Sequence, residues 1–272
     1  MFESLLVIGV AVFSFACRTY AHPLVRKLGG VGVLATTFLI AYFLSGRDPL
    51  WGVAGVLFWF FLPWIELITR VRQLRLPLEK KMHHRFPPNR EIFPGLHELT
   101  RDVEDEGFEH VEDSGWEWEN TNQFVRMFYN EEQKLEASIY LTEQQGIAFA
   151  YFSVSSESED GRKLTTWNYP FAYTMKFAPD TRINRVINAG SFIDLLNSHD
   201  QFLIENAVFD EDLVKRDPEE LQKDLESNMK KQVNHNLDQG LIRLSGDGTF
   251  RYSWRGLFYL WTQFIVQMVK YS

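Results

Sequence analysis

One cysteine stands in 272 residues, so Cys17 has no intramolecular partner for a disulfide and nothing in the cysteine count points to an oxidising compartment. No basic residue precedes the first apolar run, Leu5 to Cys17; Glu3 stands before it, and Arg18, Arg26 and Lys27 follow it. A cleaved signal peptide has the opposite order, so the run is expected to be retained as a membrane span. Catalytic signatures are lacking too. His97 and Glu98 begin a zinc motif of the H-E-x-x-H type, but the fifth position is Arg101, and a guanidinium is no metal ligand. "SESEDG" (156–161) opens like a calcium loop, yet its twelfth position is Trp167 instead of a bidentate Glu. His83 and His84 are adjacent and lack further ligands nearby. There is no G-x-S-x-G, and "GGVG" lies inside an apolar segment. No metal and no cofactor is expected.

Charge of one sign is scarce in each half of the chain. Up to Phe86 there are 10 Lys and Arg against 4 Asp and Glu; from Pro87 onward there are 18 against 32. The distal part therefore carries -14, which repels polyphosphate and excludes nucleic acid as a partner.

Three long apolar stretches are present: 2–20, 28–46 and 50–68. Each is close to the ~20 residues that cross about 30 Å of hydrocarbon. Lys and Arg number none before the first, three between first and second, one (Arg47) between second and third, and six in "RVRQLRLPLEKKMHHR" (70–85) after the third. This alternation predicts an N-terminus outside and a C-terminal domain in the cytoplasm, which places the chain as a multi-pass protein of the cell inner membrane. No Asp, Lys, Arg or His lies deep in these spans, which argues against a proton or ion pathway. Gly29, Gly30 and Gly32 in the second span, with Gly52, Ala54 and Gly55 in the third, predict close packing of a tight hairpin. Arg70, Arg72, Arg75, Lys80, Lys81 and Arg85 set topology and are the candidate contacts to anionic lipid.

The organisation expected is a transmembrane region over 1–76, a basic, proline-containing linker over 77–94, and a cytoplasmic α+β domain over 95–272. "LEASIYL" (135–141) and "FAYTMKF" (171–177) alternate with period two, as strands with one buried face do. "IAFAYFSV" (147–154) is apolar on both faces and suits a central strand. Ser191 caps a helix whose inner face is Phe192, Leu195, Leu196, His199 and Leu203; Asp217 and Pro218 open another that closes at Gly240. An antiparallel sheet flanked by helices follows. The apolar run in "GLFYLWTQFIVQMVKYS" (256–272) is too short for an ordinary crossing, and Gln263, Gln267 and Lys270 form a polar stripe; the helix over 256–270 can close the sheet of its own domain, lie in the membrane surface or meet a partner, and packing on its own domain is the expectation.

The functional expectation is a membrane-anchored module whose acidic domain acts by binding or assembly, with the bilayer and a protein as partners. An alternative is a membrane-bound enzyme, a hydrolase with His199 as acid or base and a pocket near His199, Trp167 and Asn168; Trp167, Asn168 and Tyr169 are the candidate binding residues. A third is an accessory subunit of a membrane complex. For His199 a buried, hydrogen-bonded structural role outweighs the catalytic one.

Overall fold

The computed structural model describes residues 2–20, 22–144 and 146–271, the side chains of Pro23 and of 269–271 excepted. The chain divides into two compact units: Met1–Leu74 with Ala172–Thr174 and Arg251–Ser272, and Arg75–Phe171 with Met175–Phe250.

The first unit holds α1 (Phe2–Thr19), α2 (Pro23–Leu44) and α3 (Pro49–Thr69), three helices long and apolar enough to cross a membrane. Asp48 caps α3 by accepting from the amide of Leu50 at 2.9 Å. Glycine lets these helices close up, though not only at the expected hairpin. Gly29 and Gly32 face α1, where a Cβ at Gly32 would collide with the Ser14 side chain; Gly52 and Gly55 face α2, against the Phe38 ring and Ala41. The unit also contains α7 (Trp254–Tyr271), which packs on α3. The indole Nε1 of Trp261 donates to the carbonyl of Phe60 at 2.7 Å, and its ring lies 6.2 Å from that of Trp64. The expectation that this helix closes the sheet is therefore not met, and Lys270 of its polar stripe lies outside the described side chains.

The second unit is built on a seven-stranded sheet in the order β2-β3-β4-β5-β6-β7-β8. Its long strands are β3 (Glu109–Trp118), β4 (Thr121–Asn130), β5 (Leu135–Gln144) and β6 (Ile147–Glu157); β2 (His83–His84), β7 (Lys163–Trp167) and β8 (Thr181–Arg185) are short. All pairings are antiparallel except β7 with β8, so the sheet is mixed and not wholly antiparallel as expected. A smaller sheet joins β1 (Leu76–Pro77) to β10 (Thr249–Tyr252) and β9 (Ile242–Gly246).

Helices α4 (Leu96–Glu104) and α5 (Phe192–Glu205) bury their apolar stripes with one face of the sheet, in a core of Val103, Phe108, Phe128, Ile139, Leu164 and Leu195. Ser191 and Asp194 form the reciprocal capping box that starts α5. Asp113 on β3 takes a bidentate fork from Arg126 on β4, at 2.8 and 2.6 Å, and Arg126 also reaches Thr100 of α4 at 2.9 Å. Burial alone would raise the Asp113 carboxyl; the Arg126 guanidinium and the His110 ring outweigh it and hold it low. On the other face, α6 (Leu221–Asp238) lays Leu221, Leu225 and Met229 over Val125 and Met127.

Two stretches differ from expectation. Residues 171–177 form no strand: Pro170 and Pro179 bracket them, and Asn236 of α6 occupies both the amide and the carbonyl of Lys176, at 2.9 and 2.7 Å, where a ladder partner would bond. Residues 77–94 are not a free linker either, since Pro77 pairs with Thr249, His83 and His84 pair with β3, and Met82 is buried.

Replacing Gly32 with Val should lower the thermal midpoint of the detergent-solubilised protein, through overpacking of about 1 to 3 kcal/mol. Gly9→Val, where a Cβ meets nothing, is the control. Equal midpoints would show that α1 and α2 are not in this contact.

Candidate functional site

His199 is fully enclosed, and both ring nitrogens are engaged: Nε2 lies 3.1 Å from the Ser156 hydroxyl and Nδ1 lies 3.0 Å from that of Thr166. Burial among neutral partners pushes its pKa down to about 4. The ring pins α5 to β6 and β7.

The neighbouring "TTWNYP" segment points elsewhere. Side chains alternate along a strand, so Thr166 and Trp167 face opposite sides of the sheet. His199 meets Thr166, whereas Trp167 packs 5.7 Å from Tyr169 in an aromatic group that includes Tyr151. Asn168 extends the ladder beyond β7: its amide donates to the Phe152 carbonyl at 3.3 Å, and its Oδ1 accepts from the Phe152 amide at 2.7 Å. The structure thus joins Trp167 with Tyr169 and separates both from His199.

Strand register shows what Trp167 and Tyr169 belong to. Pairing aligns Trp116, Gln123, Thr142 and Phe149 in one row across β3 to β6. The next row on that face contains Val125, Tyr140 and Tyr151, with the last two rings stacked at 4.6 Å. Tyr169 meets Tyr151 edge-on at 4.9 Å, and Phe171 meets Phe149 edge-on at 4.9 Å. The polar atoms are linked: Trp116 donates to Gln123 at 2.7 Å, and Gln123 donates to Thr142 at 3.0 Å and reaches the Tyr151 hydroxyl at 3.5 Å. At the β3 end the Lys80 ammonium sits 4.2 Å from the centre of the Trp116 ring. Loss of water pushes the Lys80 pKa down to about 8, and it raises those of Tyr140, Tyr151 and Tyr169. At neutral pH the strip therefore holds protonated phenols and a mostly charged ammonium. Its opposite end is open, with Phe171 47% exposed and Ile147 61% exposed.

Tyr151 and Thr142 are buried, so the strip presents an apolar and aromatic edge at Phe171 and Ile147, backed by the enclosed rings. The sequence marked its Trp167–Tyr169 end; Lys80, Trp116, Gln123, Tyr140, Phe149 and Tyr151 were missed, because only the pairing register gathers them. The signal that could have found them is aromatic alternation at 149 and 151 continued at 167, 169 and 171.

The six basic candidates for lipid contact fare differently. Arg70 pairs with Glu66 at 3.3 Å, Arg72 lies 4.3 Å over the Trp254 ring, and Arg85 pairs with Glu117 at 2.6 Å and meets Asn122. Lys80 is in the strip. Arg75 and Lys81 are exposed.

A separate open cleft of about 610 Å³ lies along α6, between Asp180 and Asp238, and its two lysines are already paired, Lys231 with Asp180 and Lys230 with Glu79. Among the described residues no group of three His, Cys, Asp or Glu could hold a metal ion. The acidic hairpin at 156–162 is closed by its own bonds, with Asp160 accepting from Ser158 at 2.6 Å and from Arg162. Comparison with known protein families, with curated proteins and with solved structures finds no match.

His199 binds fewer protons in the folded chain than in the unfolded one wherever the pH lies between about 4 and its ordinary 6.5. Stability should rise with pH across that window, and about 3 kcal/mol should be lost as pH falls from 7 to 4. His199→Gln should lower stability at pH 7 by about 1 to 3 kcal/mol and flatten the acid limb in denaturant titrations. An acid limb of equal depth in the variant would assign it to other groups.

Proposed function

We propose that the chain is a multi-pass membrane protein whose α+β domain works at the cytoplasmic face of the inner membrane as a binding or assembly module, with the aromatic strip as its recognition surface. The reading of the anchor is supported by three apolar helices of spanning length and by the alternation of basic residues between them. The observation that carries the recognition role is the continuous strip from Lys80 to Phe171. Aromatic rings gathered by register from β3, β5, β6 and β7, joined by a polar chain and ended by an ammonium on indole, are costly to maintain where a simple aliphatic face would pack as well.

The chemistry favours a partner protein segment with apolar or aromatic side chains for the ring platform and a carboxylate within reach of Lys80. Acid-base chemistry centred on His199 has less support, because the imidazole is enclosed and lies on the opposite side of the sheet from Trp167 and Tyr169.

A photoreactive phenylalanine analogue placed at Phe171 in cells should give a discrete protein adduct, whereas the same group at exposed Glu219 should give none. An adduct that vanishes when Tyr151 is replaced by Ala, with the thermal midpoint held by Tyr151→Phe, would tie it to the strip. Absence of any adduct at Phe171 would overturn the recognition role.

A further inference from the structure

By composition, α7 is not a membrane helix. Its apolar run is short, and Gln263 and Gln267 interrupt it. Its packing contradicts its composition.

Two contacts fix its course. At its start, the Trp254 ring lies under the Arg72 guanidinium, just beyond the end of α3. Further on, Trp261 donates to Phe60 near the midpoint of α3 and packs beside Trp64. From Trp254 to Trp261 α7 advances about 10 Å, while its partners step back from Arg72, in the turn after α3, to Phe60 within α3, roughly 18 Å at helical rise. The long side chains of Arg72 and Trp261 span the difference, and α7 runs antiparallel to α3. A residue at the midpoint of a spanning helix lies about 15 Å from either edge of the hydrocarbon.

Backbone chemistry explains why Trp261 docks there. Pro63 lies inside α3 and lacks the amide that would close on the Trp59 carbonyl. The Phe60 carbonyl, one residue along, takes the indole N–H, which itself needs an acceptor away from water. The exposed residues of α7 include Phe258, Phe264, Val266 and Met268, and α3 exposes Leu57, Phe58, Phe61 and Ile65. Gln263 and Gln267 continue the line of Gly256 and Leu260, both buried, so the amides follow the packed side of the helix, as polar residues of membrane bundles do.

We infer that α7 enters the bilayer beside α3 and crosses it as a fourth membrane helix, which brings the end of α7 to the side on which α1 begins. Its 18 residues measure about 27 Å, close to the hydrocarbon thickness. The sheet domain is then held in the membrane through both of its chain ends. This rests on the reading of α3 as a spanning helix, and it reverses the side that the sequence assigned to the C-terminal end.

The test is labelling of single cysteines by a membrane-impermeant maleimide in intact cells and in inverted vesicles, in full-length protein with Cys17→Ala. The sites are Ser45→Cys before α3, Glu159→Cys in the sheet domain, and a cysteine appended after residue 272. Labelling of the first and third from one side and of the second from the other is expected. If the appended cysteine labels with Glu159→Cys, or only after detergent is added, α7 does not cross and the inference fails while α3 still spans. If Ser45→Cys and Glu159→Cys label from the same side, the spanning role of α3 fails instead.

Discussion

The outward side chains of α1, α2 and α3 are phenylalanine, leucine, isoleucine and valine, and water solvates them poorly. Phe15 is 73% exposed and Leu50 76%, and each such side chain left in water forfeits about 1.5 to 3 kcal/mol relative to burial. In hydrocarbon that cost would vanish, and with it the hydrophobic drive for one helix to seek another. Contacts among these helices must then come from close fit and from polar groups. The structure has both: glycines at 29, 32, 52 and 55 admit neighbours that a Cβ would exclude, Trp59 donates to Thr37 at 3.0 Å, and Trp261 donates to a backbone carbonyl beside Pro63.

The sheet follows a different rule, since burying its apolar side chains is what drives helices onto its faces. One face is closed by α4 and α5 over an apolar core that also holds two polar groups, His199 between two hydroxyls and the Asp113–Arg126 pair at Thr100. The other is closed only partly by α6, and the rest of that face carries tyrosines, a glutamine relay and Lys80 on Trp116. Burial keeps the phenols protonated and weakens the hold of the ammonium on its proton. In the proposed reading that chemistry serves reversible recognition at a membrane surface.

Elements governed by local rules could be read from the sequence. The three apolar helices, the Ser191 cap and the inner face of α5 including His199 follow from periodicity and from the residues that stop it. Features that depend on a distant partner could not be read. Residues 171–177 alternate like a strand, but alternation cannot reveal that Asn236 already occupies the Lys176 backbone. The parallel edge strand, the pairing of His83 and His84 with β3, and the row that joins Trp116 to Phe149 are facts of register. For α7, neither its short apolar run nor its polar stripe reveals that Trp261 docks on the Phe60 carbonyl of α3.

The central claim is that α1, α2 and α3 are solvated by lipid. Extraction of isolated membranes with alkaline carbonate measures it most directly, since high pH opens vesicles and strips proteins held only by charge or by partners. The account predicts that the full chain stays with the membrane pellet and is released only by detergent. Recovery in the carbonate supernatant would contradict it.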